Sequence, residues 1–349
     1  MDFETPHDLG WKRCFEQQLS ISEMQDCIVS RVGSHLGSQV LVLASNAEMT
    51  LPISLIESCG EVTVGDWLLL DATTHRGVRR LERDSLIARK AAGEQAKSQP
   101  IAANIDTLFI VSSCNHDFNL SRLERYLALA IEAQVTPIVV LTKSDLAEDA
   151  ELLRQQATQL KSGLIVELVD ARDSQQTSVL SDWCRINQTV AIVGSSGVGK
   201  STLAMSLGAE TLKTQGIRED DSKGRHTTTT RSIHRLNSGG LLIDTPGMRE
   251  LQLADCEEGV SEVFDEIIEL AQFCRFRNCN HNGDPGCAVQ ESIERGDLSP
   301  RRLKNYLKLQ SEQARNSQSL RERRQESRKL GKFYKSVQAS KQRYQNRDE

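Results

Sequence analysis

Long hydrophobic runs are missing from this chain. The longest, such as Thr107–Val111 and Pro137–Leu141, are strand-sized, far short of the ~18 apolar residues that a bilayer-spanning helix needs. No membrane partner is expected. The first residues, Met1-Asp2-Phe3-Glu4, lack the apolar core of a secretory signal, so a cytoplasmic location is the default expectation. Aromatic residues are scarce at 4%, which argues against a surface that works mainly by stacking bases. No internal repeat is visible. Of the nine cysteines, Cys14, Cys27, Cys59, Cys114, Cys184 and Cys256 lack metal spacing. In a reducing compartment they read as ordinary buried or semi-buried thiols.

What remains is a chain of 349 residues, enough for two or three domains. Its net charge of −5 conceals an asymmetry. Residues 300–349 hold 15 Lys+Arg against 5 Asp+Glu, while the rest holds 28 against 43. A basic tail on an acidic body points to a polyanionic partner, or else to a solvated charge-rich helix.

Patterning divides the chain. From about Ser30 to Lys90 short apolar segments recur, at Gln39–Ala44, Leu51–Ile56, Trp67–Asp71 and Val78–Leu81, separated by Gly, Asn, Asp or Ser. That is the rhythm of a small β-barrel or sandwich. The preceding segment is polar and mixed, with one short helix expected around Trp11–Leu19. Ala91–Pro100 reads as a linker. Strands then alternate with helices: strands at Ile105–Ser112, Thr136–Leu141, Leu164–Val169 and Thr189–Val193, helices at Ser121–Ala133 and Glu148–Leu160, and a short one at Ser178–Arg185. This predicts a parallel sheet covered on both faces. Arg231–Leu236 and Gly240–Ile243 add a hairpin. Ser261–Ala271 is helical, a cysteine cluster follows, and Ser299-Pro300 opens a last helix. Beyond Gln310 a frayed helix or disorder is expected. The reading is multidomain: an extension over 1–30, a β-barrel over 31–92, an α/β domain over 100–270, a metal domain over 271–310 and a basic tail over 311–349.

Gly194-Ser195-Ser196-Gly197-Val198-Gly199-Lys200-Ser201 matches G-x-x-x-x-G-K-[ST], with an apolar strand before it and a helix, Ser201–Leu207, after it. The glycines let backbone N–H groups turn inward around phosphates, and the helix N-terminus adds the positive end of its dipole. Lys200 is expected on the β- and γ-phosphates and Ser201 on Mg²⁺; Thr202 completes the cofactor-binding set. Asp244-Thr245-Pro246-Gly247 ends the strand Gly240–Ile243. Asp244 is expected to hold Mg²⁺ through water and Gly247 to sense the γ-phosphate. Thr142-Lys143-Ser144-Asp145 fits the guanine reader [N/T]-K-x-D of GTPases. The carboxylate of Asp145 accepts from guanine N1–H and the exocyclic amine, a donor pair that adenine lacks, and the stem of Lys143 lies along the base. The plainer alternative is a helix N-cap by Ser144 or Asp145.

This base reader precedes the phosphate loop by about fifty residues, whereas in most GTPases it follows. A parallel sheet tolerates relocated termini, because strand neighbours fix the site. The order therefore reads as a circular permutation, with Val169-Asp170-Ala171 where the second base loop belongs. With Gly224-Arg225-His226-Thr227-Thr228-Thr229-Thr230 between the phosphate loop and Asp244, and a cysteine cluster after them, the chain resembles the ribosome small-subunit-dependent GTPase A family over roughly residues 30–340. That resemblance implies an N-terminal OB-fold, a central circularly permuted P-loop GTPase domain and a C-terminal α-helical zinc domain, with a monomeric state. It suggests His226 as the water-orienting residue, where Met248 after D-x-x-G cannot act; packing or RNA contact by His226 is the alternative. A switch threonine, Thr228 or Thr229, is expected on Mg²⁺.

Cys274-x4-Cys279-x-His281-x5-Cys287 gathers three thiolates and an imidazole, a closed tetrahedral set suited to one structural zinc, or else unrelated thiols beside a surface His. For polyanions, Arg31, His35, Arg76, Arg79, Arg80, Arg83, Arg89 and Lys90 in the β region are candidates. So are Arg321, Arg323, Arg324, Arg328, Lys329, Lys332 and Lys335 in the tail. The resemblance implies 16S rRNA on the 30S subunit. The leading expectation is a GTPase in late small-subunit maturation, binding GTP and GDP and stimulated by the subunit. The alternatives are an RNA-binding checkpoint in which GTP occupancy is the signal, and an ATPase or small-molecule kinase, against which Thr142–Asp145 argues.

Overall fold

In the β-rich N-terminal region the side chains alternate between two apolar layers, and that alternation sets the architecture. The computed structural model describes residues 6–45, 47–90, 98–209, 231–244 and 256–317. Strands β1 (Cys27–His35), β2 (Gln39–Ala44), β3 (Ala47–Pro52), β4 (Trp67–Asp71) and β5 (Gly77–Arg80) pair in the order β3-β2-β1-β4-β5, all antiparallel. On one face Val32, Leu68 and Leu70 meet Val40, Val42, Leu51, Ile56 and Cys59. On the other, Val29, Trp67 and Leu69 meet Leu9, Trp11 and Phe15 from the start of the chain. The Trp11 ring stands edge-on to Trp67, with centroids 4.9 Å apart, a favoured aromatic geometry. The polar-looking N-terminal segment thus covers a strand that is apolar on both faces. Its predicted helix shrinks to α1 (Arg13–Glu16); α2 (Ile21–Asp26) follows behind a Ser20–Glu23 capping box.

Strands β6 (Leu86–Lys90) and β7 (Ser98–Ala103) form a separate antiparallel ribbon. The end of the expected Ala91–Pro100 linker is therefore strand. Pro100 is accommodated because it faces Ala88 at a register shift, where a missing N–H does least harm to the ladder. Residues 91–97 lie outside the described residues.

The central sheet holds β8 (Thr107–Ser113), β9 (Thr136–Thr142), β10 (Ile165–Val169), β11 (Thr189–Gly194), β12 (Ser232–Arg235) and β13 (Leu241–Asp244). Its order is β10-β9-β8-β11-β13-β12, parallel except for β12. Every residue of β8 is buried, as a strand covered on both faces must be. Leu108 and Ile110 face α3 (Leu120–Glu132) through Leu123 and Leu127, while Phe109 and Val111 face α6 (Lys200–Ser206) through Leu203. Asn119 caps α3 by accepting from the Arg122 N–H. The outer helices α4 (Ala150–Thr158) and α5 (Ser174–Thr177) are shorter, and Ser178–Trp183 is a 3₁₀ run. Ser34 of β1 pairs with Ser232 of β12, which fuses barrel and central sheet into one eleven-stranded ladder.

Four more helices close the chain: α7 (Glu257–Val263), α8 (Asp265–Ala271), α9 (Ala288–Arg295) and α10 (Pro300–Ser317). The single helix expected over Ser261–Ala271 breaks at Phe264. Its backbone leaves the helical region (φ −116°, ψ 34°), and its ring is buried against Tyr306 and the Arg302 guanidinium. The fully buried Glu124 of α3 accepts from Arg301, Arg302 and Asn305, which anchors α10 to the central domain. Among the described residues no helix is long and apolar enough to cross a membrane.

Candidate nucleotide and metal sites

The phosphate loop begins where β11 ends. Gly194 has φ +147°, and a Cβ there would lie 2.2 Å from the Val111 carbonyl oxygen of the neighbouring β8. No other residue fits so close an approach. Gly199, at φ +93°, turns the chain into α6. The ammonium of Lys200 lies back along the loop, donating to the carbonyl oxygens of Gly194 (2.8 Å) and Ser195. Ser196 and Gly197 are exposed at the crest, Ser195 is half-buried, and Ser201 is exposed on the first turn of α6, followed by a half-buried Thr202. Val198 is buried beneath them.

The Thr142–Asp145 segment is bolted to this loop. The fully buried Thr142 hydroxyl donates to the Val198 carbonyl at 2.5 Å, and Ser112 O lies 3.2 Å away. Lys143, held at φ +56°, sends its ammonium to the Gly197 carbonyl at 2.8 Å. Ser144 and Asp145 occupy a 3₁₀ turn, Ser144–Leu146. Parallel pairing of Val169 with Thr142 brings Asp170-Ala171-Arg172 beside them. There Arg172 Nη2 donates to Asp145 at 2.7 Å and to Asp170 at 2.8 Å. Arg172 holds the Asp170 carboxyl below its usual pKa.

Asp244 ends β13 next to the loop strand. Burial raises its pKa, opposed by nearby His234 and Lys200. A divalent cation would offset that same desolvation. Burial also lowers the pKa of His234, whose Nε2 lies 2.8 Å from the Ser232 hydroxyl. Gly224 to Thr230, including His226, Thr228 and Thr229, and Thr245 to Met248, including Gly247, lie outside the described residues. Two arginines at the site were not singled out by sequence. Arg122, in the first turn of α3, donates to the Ser195 hydroxyl and pairs with Asp117 at 2.8 Å; Arg172 is the other. Neither lies in a motif. The sheet order, which brings three connections to one edge, is what places them.

Cys274, Cys279, His281 and Cys287 converge between α8 and α9, their donor atoms all within 4.8 Å of one another. Cys274 Sγ lies 3.9 Å from Cys287 Sγ and 3.7 Å from His281 Nδ1, and Cys287 Sγ lies 3.5 Å from the same nitrogen. Ligands at ~2.3 Å around a tetrahedral ion would be spaced about this far apart. His281 is at φ +54°, a conformation that re-aims the chain inside the knuckle. The group could hold one metal ion.

The polyanion candidates fare less evenly. Arg31 is fully buried and cannot meet an RNA phosphate, which corrects the sequence-based expectation. Its guanidinium donates to Gly65 O, Leu9 O, Thr189 Oγ1 and Asn104 O, and lies over Trp67. Arg79 is engaged by Glu23 and Gln18 O, and Arg83 by Asp66 and Glu61 O. His35 and Arg76 are exposed. The tail residues from Arg321 to Lys335 lie outside the described residues.

A glycine-rich G-x-x-x-x-G-K-S loop at the end of β11, a T-K-x-D segment two strands away at the end of β9, and a chain that reaches that segment first define a circularly permuted P-loop GTPase. Comparisons agree. The solved structure of YloQ, itself a circularly permuted GTPase, superposes with TM-score 0.57 at 24% identity over 84% of this chain and 96% of that one. That of YjeQ from Thermotoga maritima gives 0.58 at 21%, over 82% and 99%. The RsgA GTPase family model matches residues 80–254. Small ribosomal subunit biogenesis GTPase RsgA 2 of Vibrio vulnificus (strain CMCP6) is 52% identical over 96% of this chain and 95% of its own length. The RsgA of Mesorhizobium japonicum is 46% identical over 89% and 90%. The chain belongs to the RsgA GTPase family, and its enzymatic activity is GTP hydrolysis.

Proposed function

We propose that this protein is a GTPase of small ribosomal subunit maturation, which hydrolyses GTP when bound to the 30S subunit and leaves in the GDP state. The observation that carries the reading is the permuted site itself, carried by a chain 52% identical to a named small-subunit biogenesis GTPase over 95% of that relative. Thr142–Asp145 read guanine, and Gly194–Thr202 hold the phosphates. Lys200 neutralises charge developing on the β- and γ-oxygens, while Ser201, Asp244 and Thr228 serve Mg²⁺. Gly247 senses the γ-phosphate and His226 orients the attacking water. Cys274, Cys279, His281 and Cys287 hold one structural zinc. The domains run as an extension over 1–30, an OB-fold over 31–92, the GTPase over 100–270, the zinc domain over 271–310 and a basic tail over 311–349. The barrel, zinc domain and tail address 16S rRNA as a monomer in the cytoplasm.

Steady-state turnover of GTP with and without purified 30S subunits tests the central claim. Stimulation by the subunit is expected, and its absence would sink the model. Competition by ATP at equal concentration should be negligible. His226→Ala should keep GDP affinity and lose stimulated turnover; unchanged turnover removes His226 from the mechanism.

A further inference from the structure

Arg172 occupies the carboxylate that the guanine base is expected to use. Its Nη2 lies 2.7 Å from Asp145 Oδ2, while its Nε and Nη2 grip both oxygens of Asp170 at 3.0 and 2.8 Å. Asp170 is fixed in turn: its Oδ1 accepts the Arg172 N–H at 3.0 Å, and its own N–H donates to Gln176 at 2.9 Å. The arginine is therefore anchored through Asp170 and reaches sideways to Asp145. Its side chain is 66% exposed against 29% for Asp145, so it can leave the carboxylate for solvent without disturbing the core.

We propose that Arg172 is a positioning residue that latches the guanine-reading carboxylate of Asp145, and that a nucleotide binds by displacing it. The proposal rests on the assignment of Asp145 as base reader. Guanine offers N1–H and an exocyclic amine, two donors that replace the lost guanidinium bond. Adenine presents an acceptor at N1 and has no such pair, so it cannot take Asp145 from the arginine. Once displaced, Arg172 stays on Asp170, ready to return when the base leaves. The latch thus lowers affinity for guanine nucleotides and withholds the site from bases that cannot compensate for breaking it. Exchange of GDP without a separate release factor would follow from such an internal competitor.

The test is equilibrium titration of the full-length protein with mant-GDP. Arg172→Ala should bind about two- to fivefold more tightly, the range expected when an exposed charge-assisted pair is removed from competition. The gain should shrink as salt is raised. Asp170→Asn should act in the same direction by a smaller factor, because an arginine that loses its anchor holds Asp145 less often. A merely structural role for the loop would weaken binding in both variants. Asp145→Asn separates the two ideas: it should lose mant-GDP affinity, and in that background Arg172→Ala should have no further effect. Weaker or unchanged binding by Arg172→Ala, with Asp145→Asn impaired, overturns the latch and leaves the base reader standing. Unchanged binding by Asp145→Asn overturns both.

Discussion

Replacing Arg31 by Met separates a structural arginine from an RNA contact. The side chain is of similar length, so the space is refilled, but the donors are gone. Gly65 O keeps a second donor, the Asn104 amide at 2.9 Å, and the Thr189 hydroxyl can rotate. Leu9 O and Asn104 O lose the side-chain donors at 2.6 and 2.8 Å. An orphaned buried acceptor costs about 1–3 kcal/mol, so the pair costs about 2–6. Part of this is offset because Met carries no charge to desolvate, and burial already lowers the Arg31 pKa to about 10. Asp66 and Asp106 keep Arg83 and Lys12 as partners. A net loss of about 3 kcal/mol follows, the low end for breaking a buried charged network. Urea unfolding followed by tryptophan fluorescence is the assay, since Trp11 and Trp67 lie in the affected core. With a slope of about 3 kcal/mol/M, the midpoint should fall by about 1 M. A wild-type midpoint combined with lost RNA or 30S affinity would refute the reasoning and restore Arg31 to the surface.

Thr142→Val should cost about 1–2 kcal/mol by leaving Val198 O without its donor, and should weaken GDP binding; Thr142→Ser should restore both, and equal GDP affinity in all three proteins would exclude the bolt. Metal analysis of chelator-free protein should find zinc at one per chain, with Cys279→Ser losing it and lowering the thermal midpoint. Glu23 sits against Arg79 at 2.7 Å with its pKa held down to about 2, mainly by that hydrogen bond. Its folded pKa is depressed, so its contribution is complete above the ordinary value near 4.5 and fades as pH falls toward 2. Glu23→Gln should flatten stability against pH across that window, by a small amount because the pair is partly exposed.

Much of the site is written locally. A phosphate loop needs closely spaced glycines, a lysine and a hydroxyl between a strand and a helix, so Gly194–Ser201 can be found from eight residues. The four candidate metal donors fall within fourteen residues for a similar reason, since a loop must wrap one point. The non-local parts were hidden. Arg31 reads as a surface cation because nothing nearby in sequence reveals that Leu9, Gly65, Asn104 and Thr189 will surround it. Leu9, Trp11 and Phe15 sit in a polar context, and only the two-faced burial of β4 explains them. Arg172 became visible once β10 was placed beside β9. Strand β6 pairs with β7 and not with the barrel, a choice that apolar alternation does not encode.

The Ser34–Ser232 pairing has a practical consequence for dissecting this enzyme. Strand β12 lies between β13 and β1, so cutting away the barrel to isolate the nucleotide domain would leave it as a bare edge, its outward N–H and C=O groups open to any other strand. Such edges recruit copies of themselves. A truncated protein that precipitates, or that hydrolyses GTP poorly, would therefore report a newly exposed seam as much as a missing RNA contact. Point substitutions on the intact ladder are the sounder way to divide the labour between the two halves.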